Sequence, residues 1–350
     1  MSKVFRGIGR FFTVLLLTVL MVALLVVGAC AVLAYGPSSY WQRLFVATFD
    51  ETSALKFVPR LFLPASEVDA ILHPVSDEGP EAEPDVFVEL AFEDGTQSPA
   101  QEETPSQVVV AELPPDVAES GEWLEIVDIK ERSFRGKMMV IHDPSKVFVG
   151  TLDAYGAAYH GLYLYEFIEK YNAIGGTNAG GFEDVNGGGN GGTPDGLVIR
   201  DGQIAWGAPG GWYSNVIGFD ADHILHVGDM SGQQALDLGL VSAVSFAPGP
   251  VLVQDGVMRT GLGGGLNPRT CIGQTADGTI LLLVAEGRNP STPGATYDDL
   301  AQLMYDRGAV NAANLDGGSS SLMYYNGEQV VRGSNLLGMR QMATAILIAN

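Results

Sequence analysis

The chain has 350 residues, 46% of them hydrophobic, and carries 41 acidic against 19 basic side chains, a formal net charge of −22. This is enough apolar material for one large or two ordinary domains, and the acidity argues against nucleic acid as a partner, because phosphates demand a basic footprint. The two cysteines, Cys30 in an apolar run and Cys271 in a polar motif, do not make a disulfide framework.

Lys3, Arg6 and Arg10 precede an almost unbroken apolar run from Phe11 to Ala34. As a helix of about 24 residues it would reach about 36 Å and span a bilayer. The expected layout is a cytoplasmic tip over 1–10 and a transmembrane signal anchor over 11–35 in contact with lipid. The basic flank keeps the N-terminus inside, so the rest of the chain is extracytoplasmic. A cleaved signal peptide, or lipidation at Cys30 within Val27-Gly28-Ala29-Cys30, is the alternative. Residues 36–73 read as a juxtamembrane segment of short helices interrupted by Pro59 and Pro64. From Pro74 to Ser120 there is no Lys or Arg, and acidic residues alternate with Pro, Ser and Gln. Segment 74–121 is therefore expected to be a flexible acidic stalk, with a loop-rich insertion as the alternative.

Residues 122–350 are expected to form one folded domain. Trp123–Val127, Lys137–Ile141 and Lys146–Val149 have strand composition, Tyr155–Tyr171 reads as an aromatic-rich helix, and Asp201-Gly202, Pro209-Gly210 and Asp255-Gly256 mark turns between further strands. Thr296 with Asp299 resembles a capping box ahead of the stripe Leu300, Leu303 and Met304, and Gly308 stops that helix. Asn326-Gly327 signals a hairpin, and Met342–Ala349 a closing strand. Hairpin turns far outnumber βαβ spacings, which predicts an α+β fold with a mixed, largely antiparallel sheet and a few helices.

Three stretches carry candidate chemistry. Thr177–Asp184 leads into the glycine-dense run from Asn186 to Pro194, which lacks the Gly-Lys-Ser/Thr ending of a phosphate loop. Asn267–Thr275 places Arg269 at the mouth of a strand, where a planar guanidinium suits phosphate, while Glu286 and Arg288 close the return strand. A structural salt bridge from Arg269 to Glu286 or Asp316 is the plainer role. Finally, an apolar approach delivers Asp316 to Gly317-Gly318 and the hydroxyls of Ser319, Ser320 and Ser321. Taken alone this is a hairpin turn, but the glycines let the chain turn tightly and aim N–H groups at an anion. Metal binding has no positive support: none of the five histidines stands at ligand spacing, and three-residue spacing in a strand puts His223 and His226 on opposite faces.

In that order, Asn178-Ala179-Gly180-Gly181-Phe182, Asn267–Gly273, Glu286-Gly287-Arg288, the Thr296 helix, Asn314–Ser321 and Arg340 resemble the phosphodiester glycosidase family, over about Gly136 to Asn350. With an N-terminal anchor and no cysteine-rich repeats, the resemblance is to a bacterial, membrane-anchored type acting on a cell-envelope glycan or exopolysaccharide. It implies a hydrolase that cleaves a carbohydrate phosphodiester at the anomeric carbon and needs no cofactor. The chemistry requires a carboxylate for the water or the oxocarbenium-like centre and cations for the phosphate. On the resemblance, Asp316 is the carboxylate, Glu286 the second carboxylate, and Arg269 with Arg340 the phosphate cations. Asn178, Gly181, Arg288 and Ser319–Ser321 would contact sugar or phosphate, supported by the Gly317 and Gly318 amides. A non-catalytic glycan-binding or polysaccharide-assembly protein on the same fold is the alternative. A serine hydrolase is disfavoured, since the serine triplet lacks a Gly-x-Ser-x-Gly elbow and has no histidine placed to activate it. Protein partners are not indicated.

Overall fold

The computed structural model describes residues 2–52, 55–73, 123–184, 188–247, 249–289, 291–331 and 338–350. The acidic segment 74–121 lies outside the described residues. Helix α1 (Ser2–Tyr35) includes a 26-residue stretch, Arg10–Tyr35, long and apolar enough to cross a membrane. It is followed by α2 (Ser39–Asp50) and α3 (Ala65–Leu72), with Pro59 opening a single helical turn and Pro64 capping α3. Ala34, Phe45, Val46, Leu63 and Val68 form the small core that binds these helices to the end of α1.

Beyond them the fold is α+β with antiparallel pairing, divided among three sheets instead of one. The first has seven strands in the order Leu124–Lys130, Arg135–Ile141, Ile280–Ala285, Arg269–Thr275, Ala309–Leu315, Val251–Gln254, Val257–Met258. The second runs Glu328–Val331, Met323–Tyr325, Ala173–Asn178, Thr344–Ala349, Val147–Thr151. The third runs Gln203–Trp206, Val198–Arg200, Leu240–Ser245, Trp212–Asp220, Leu225–Ser231.

Strand periodicity explains the layering. Ile272, Leu282, Ala313 and Leu315 of the first sheet meet Met323 and Ile346 of the second and Ile217 and Val244 of the third in one shared core. Their neighbours Cys271, Leu283 and Ala312 face outwards and pack under α6 (Tyr297–Asp306). In the same way α4 (Leu164–Tyr171) covers the second sheet and α5 (Gly232–Asp237) the third. Each large apolar side chain so buried contributes about 1.5–3 kcal/mol.

Local signals hold where chemistry is specific. The Thr296 hydroxyl accepts from Asp299 N–H at 3.1 Å while the Asp299 carboxylate accepts from Thr296 N–H at 2.8 Å, the reciprocal cap expected for α6. Asn326 and Gly327 both have positive φ and join two paired strands. The helix expected over 155–171 is shorter: only Leu164–Tyr171 is helical. Ahead of it the chain runs irregularly, with Leu162 bridged to Met342. A Cβ at Gly161 would lie 2.4 Å from the Met342 carbonyl oxygen, so that approach excludes any side chain.

Candidate active site

Asp316 follows the last residue of the Ala309–Leu315 strand, an interior strand of the first sheet. Its backbone is fixed from both sides: its N–H donates to the Ala179 carbonyl at 2.9 Å, and its carbonyl accepts from Asn178 Nδ2 at 2.6 Å. Asn178 is buried at the end of its own strand, and its Oδ1 accepts from the Thr270 hydroxyl at 2.8 Å and from Leu322 N–H at 3.3 Å. One side chain therefore ties three segments around the carboxylate. The third sheet joins through Gly181, whose N–H donates to the Ser245 carbonyl. Gly181 has a packing role, because a Cβ there would come within 2.9 Å of the Phe246 ring.

Burial pushes the Asp316 carboxyl up to about 6, against the opposing hydrogen bonds from the Ser320 hydroxyl and Gly317 N–H and the positive field of Arg340; the Asp184 charge raises it further. Arg340 is held by a bidentate pair with Asp184 at 2.6 and 2.7 Å, reaches the Ser319 hydroxyl at 3.3 Å and lies over the Phe182 ring. Asp184 in turn accepts from Gly189 N–H at 2.8 Å, which ties the glycine-dense loop to the site. The carboxylate that acts electrostatically on Asp316 is thus Asp184.

Glu286 ends the neighbouring return strand, with the Arg269–Thr275 strand between it and Asp316. Two ladder spacings separate the strands, about 10 Å. Register sets the Val284–Thr270–Leu315 row on the shared-core face and the Cys271–Asn314 row on the other. Alternation then puts Glu286 and Asp316 on opposite faces, which does not make them a carboxylate pair.

The tight turn is real, but its amides are engaged within the protein. Gly317 N–H donates to Asp316 Oδ1 and Gly318 N–H to the Pro268 carbonyl, both at 2.8 Å, so neither is open to a bound anion as the sequence suggested. Gly318 adopts φ +61, and a Cβ there would stand 3.0 Å from Arg288 Nη2. Ser320 is committed to Asp316, and the buried Ser321 hydroxyl has no hydrogen-bond partner among the described residues.

The two arginines differ. Arg269 is buried beneath Gly317, with its guanidinium 3.9 Å from the Tyr297 ring centroid. Its salt bridge goes to neither expected partner but to Glu51, at the end of α2, at 2.6 Å, and the carbonyls of Gly265 and Ala295 take further N–H groups. Arg288 is exposed, sits at φ +60, and hydrogen-bonds Asn267 Oδ1 from Nε and Nη2 at 3.3 Å. Among the described residues it makes no ion pair, while burial of part of its side chain and the Arg269 charge lower its pKa. A positive-φ arginine is strained, and such strain gathers at functional sites.

Two participants escaped sequence reasoning. Glu51 lies 218 residues from Arg269 and looked like part of a spacer. Asp184 stood beside the glycine run, whose composition masked it; the acidic pair Glu183-Asp184 at the mouth of such a loop was the available signal. Among the described residues no cluster of three His, Cys, Asp or Glu could hold a metal ion, and Cys30 and Cys271 are free thiols.

A family model described as phosphodiester glycosidase matches residues 171–349, the span that holds all these groups except Glu51. The chain belongs to the phosphodiester glycosidase family. A curated relative, the SPβ prophage-derived uncharacterized protein YomE of Bacillus subtilis (strain 168), is 38% identical over 92 residues, 25% of this chain but 14% of the relative's length. Among solved structures, the fold is similar to the catalytic domain of zebrafish N-acetylglucosamine-1-phosphodiester α-N-acetylglucosaminidase, auto-inhibited by its pro-peptide. That likeness has a TM-score of 0.53 at 22% identity, covering 67% of this chain and 86% of that one. The phosphodiester glycosidase segment begins in α4, so α1 to α3 and the first three strands lie outside it.

Proposed function

We propose that this phosphodiester glycosidase hydrolyses a glycosyl-1-phosphodiester and that Asp316 is its general base. Family membership supports a hydrolase acting on phosphodiester-linked glycans. The observation that carries the assignment is the setting of Asp316: one carboxyl with a pKa near 6, fixed at a strand end between Ser320, the Arg340–Asp184 pair and the exposed Arg288. Phosphate is a good leaving group, so the reaction demands a base for water more than an acid. Water attacks the anomeric carbon, the C1–O bond breaks, the phosphate monoester leaves with the bonding electrons, and the Asp316 carboxylate takes the water proton.

Arg288 takes the phosphate, because Arg269 is already neutralised by Glu51. Arg269 supports the turn from beneath, Asn178 positions the strand end, and the Ser319 hydroxyl stands beside Arg340. Helix α1 serves as a membrane anchor, with its basic end in the cytoplasm and the catalytic domain outside.

The test uses the full chain in detergent with an α-N-acetylglucosaminyl-1-phosphodiester and follows released sugar. The parent should release sugar, with kcat/KM rising with pH up to a plateau above about 6. Asp316→Asn should lose about 10²–10⁴-fold and Arg288→Ala about 10²-fold. A folded chain that binds sugar phosphodiesters but hydrolyses none would instead be a glycan-binding protein.

A further inference from the structure

The membrane-proximal helices are built onto the rim of the candidate site. Thr48 Oγ1 accepts from Leu266 N–H at 3.0 Å; Glu51 accepts from Gly265 N–H at 3.1 Å, from Asn267 Nδ2 at 2.7 Å and from Arg269 Nη2 at 2.6 Å. At Gly265 a Cβ would lie 2.2 Å from Thr48 Cα, so only glycine permits the approach. The loop so gripped belongs to the site: Asn267 also holds Arg288, and Arg269 underlies Gly317. At the other end of α2, Gln42 Nε2 donates to the Ala34 carbonyl of α1 at 2.8 Å, and the Tyr35 hydroxyl donates to the Phe62 carbonyl. Helix α2 thus runs from the end of α1 to the rim, and its 12 residues span about 18 Å.

The outer surface of this helical unit exposes Tyr35, Tyr40, Trp41, Phe57 and Leu61. Aromatic side chains of this kind gather at the membrane–water interface, where an apolar ring and a polar edge are both satisfied. These side chains lie at and just beyond the end of a bilayer-length helix, interspersed with exposed Arg43, Lys56 and Arg60, the mixture of aromatic and basic groups that suits a headgroup layer.

We infer that α2 and α3 form a foot lying on the bilayer and that this foot holds the catalytic rim at the headgroup level, so that the substrate is a glycosyl phosphodiester presented by the membrane, its alcohol carrying a lipid chain. This rests on the reading that α1 crosses a bilayer and that the site is hydrolytic. Water-soluble glycan phosphodiesters would reach such a site only from the side.

Two measurements on the full chain in nanodiscs test it. The first places a donor dye on Thr260→Cys, an exposed position on the loop leading to Gly265, in a Cys30→Ser background, with an acceptor on lipid headgroups. Transfer should be strong and should fall in Thr48→Arg, whose side chain wedges the foot off Gly265. The second compares kcat/KM for one sugar phosphodiester esterified to a long-chain alcohol in the same nanodisc with that for its short-chain, water-soluble counterpart. The long-chain form should be preferred at least tenfold, and Thr48→Arg should bring the ratio close to one. Equal transfer in parent and variant, a ratio near one in the parent, or a higher rate on the soluble substrate after Thr48→Arg would each overturn the inference; the last would make Glu51 a plug on the arginine pocket. If neither substrate is hydrolysed, the hydrolase reading fails while the energy-transfer arm still decides the placement.

Discussion

At the residue scale, Asp316 is held in a way that costs the fold stability. Its folded-state pKa of about 6 lies above the 3.8 of a free Asp, chiefly because the carboxylate is removed from water. Between these values the folded state keeps a proton that the unfolded chain has released. Stability therefore declines as pH rises from about 4 to about 6, and the whole cost stands at neutral pH. Asp316→Asn removes the charge while keeping an acceptor for Ser320 and Gly317. Denaturant unfolding at pH 7 should show the variant more stable by on the order of 2–3 kcal/mol, and at pH 4 the gain should vanish. A variant equally stable at both pH values would mean that Asp316 titrates as an ordinary carboxylate, and its assignment as base would lose its physical ground. The same substitution is expected to lower turnover by about 10²–10⁴-fold, the opposition between stability and activity found where a site is strained for use.

At the element scale, two loops tune that carboxyl. Arg340 comes from the loop ahead of the Thr344–Ala349 strand and Asp184 from the loop after the Ala173–Asn178 strand, and their bidentate pair sets a positive and a negative charge near Asp316. Arg340→Leu removes the cation that lowers the Asp316 pKa and leaves the Asp184 charge that raises it. The low-pH limb of kcat/KM should then move upward by about one pH unit, a tenfold change in proton affinity; a limb that stays in place would detach Arg340 from the catalytic carboxyl. This pair also shows what a sequence can disclose. The strand leading to Asp316, the Thr296 cap, the Asn326-Gly327 hairpin and the position of Arg340 are local and were legible, since each depends on a few adjacent residues. Three-sheet architecture was not, because alternation tells a strand which side to bury but not which sheet shares that core. The partners of Arg269 and Arg340 were hidden for the same reason: Asp184 and Arg340 are 156 residues apart, and only the finished topology brings them together. Glu286 looked like the natural second carboxylate at a matching strand end, and it took the register to set it on the other face.

At the scale of the whole molecule, the contact between Glu51 and Arg269 joins the N-terminal helices to the sheet that carries Asp316. Arg269 is almost fully buried and Glu51 is 27% exposed at its side chain, so the pair is shielded from salt and each partner is costly to leave alone. Arg269→Met should destabilise the catalytic domain by about 3–5 kcal/mol, because an uncompensated carboxylate and two unpaired carbonyls stay behind. Glu51→Gln loses the charge and one of the two acceptor oxygens, so its amide oxygen can serve either Gly265 N–H or the Asn267 and Arg269 donors but not both, a loss of about 1–3 kcal/mol. The informative quantity is the coupling in the double-mutant cycle, expected at about 1–3 kcal/mol because the residues touch. Denaturant unfolding of the four chains, followed through the near-ultraviolet signal of the catalytic domain, measures it. Full coupling in 1 M salt would show that α2 is an integral part of the folded site. Zero coupling at low salt would mean that the foot and the catalytic domain are independent bodies, and every consequence drawn from their contact would fall with it.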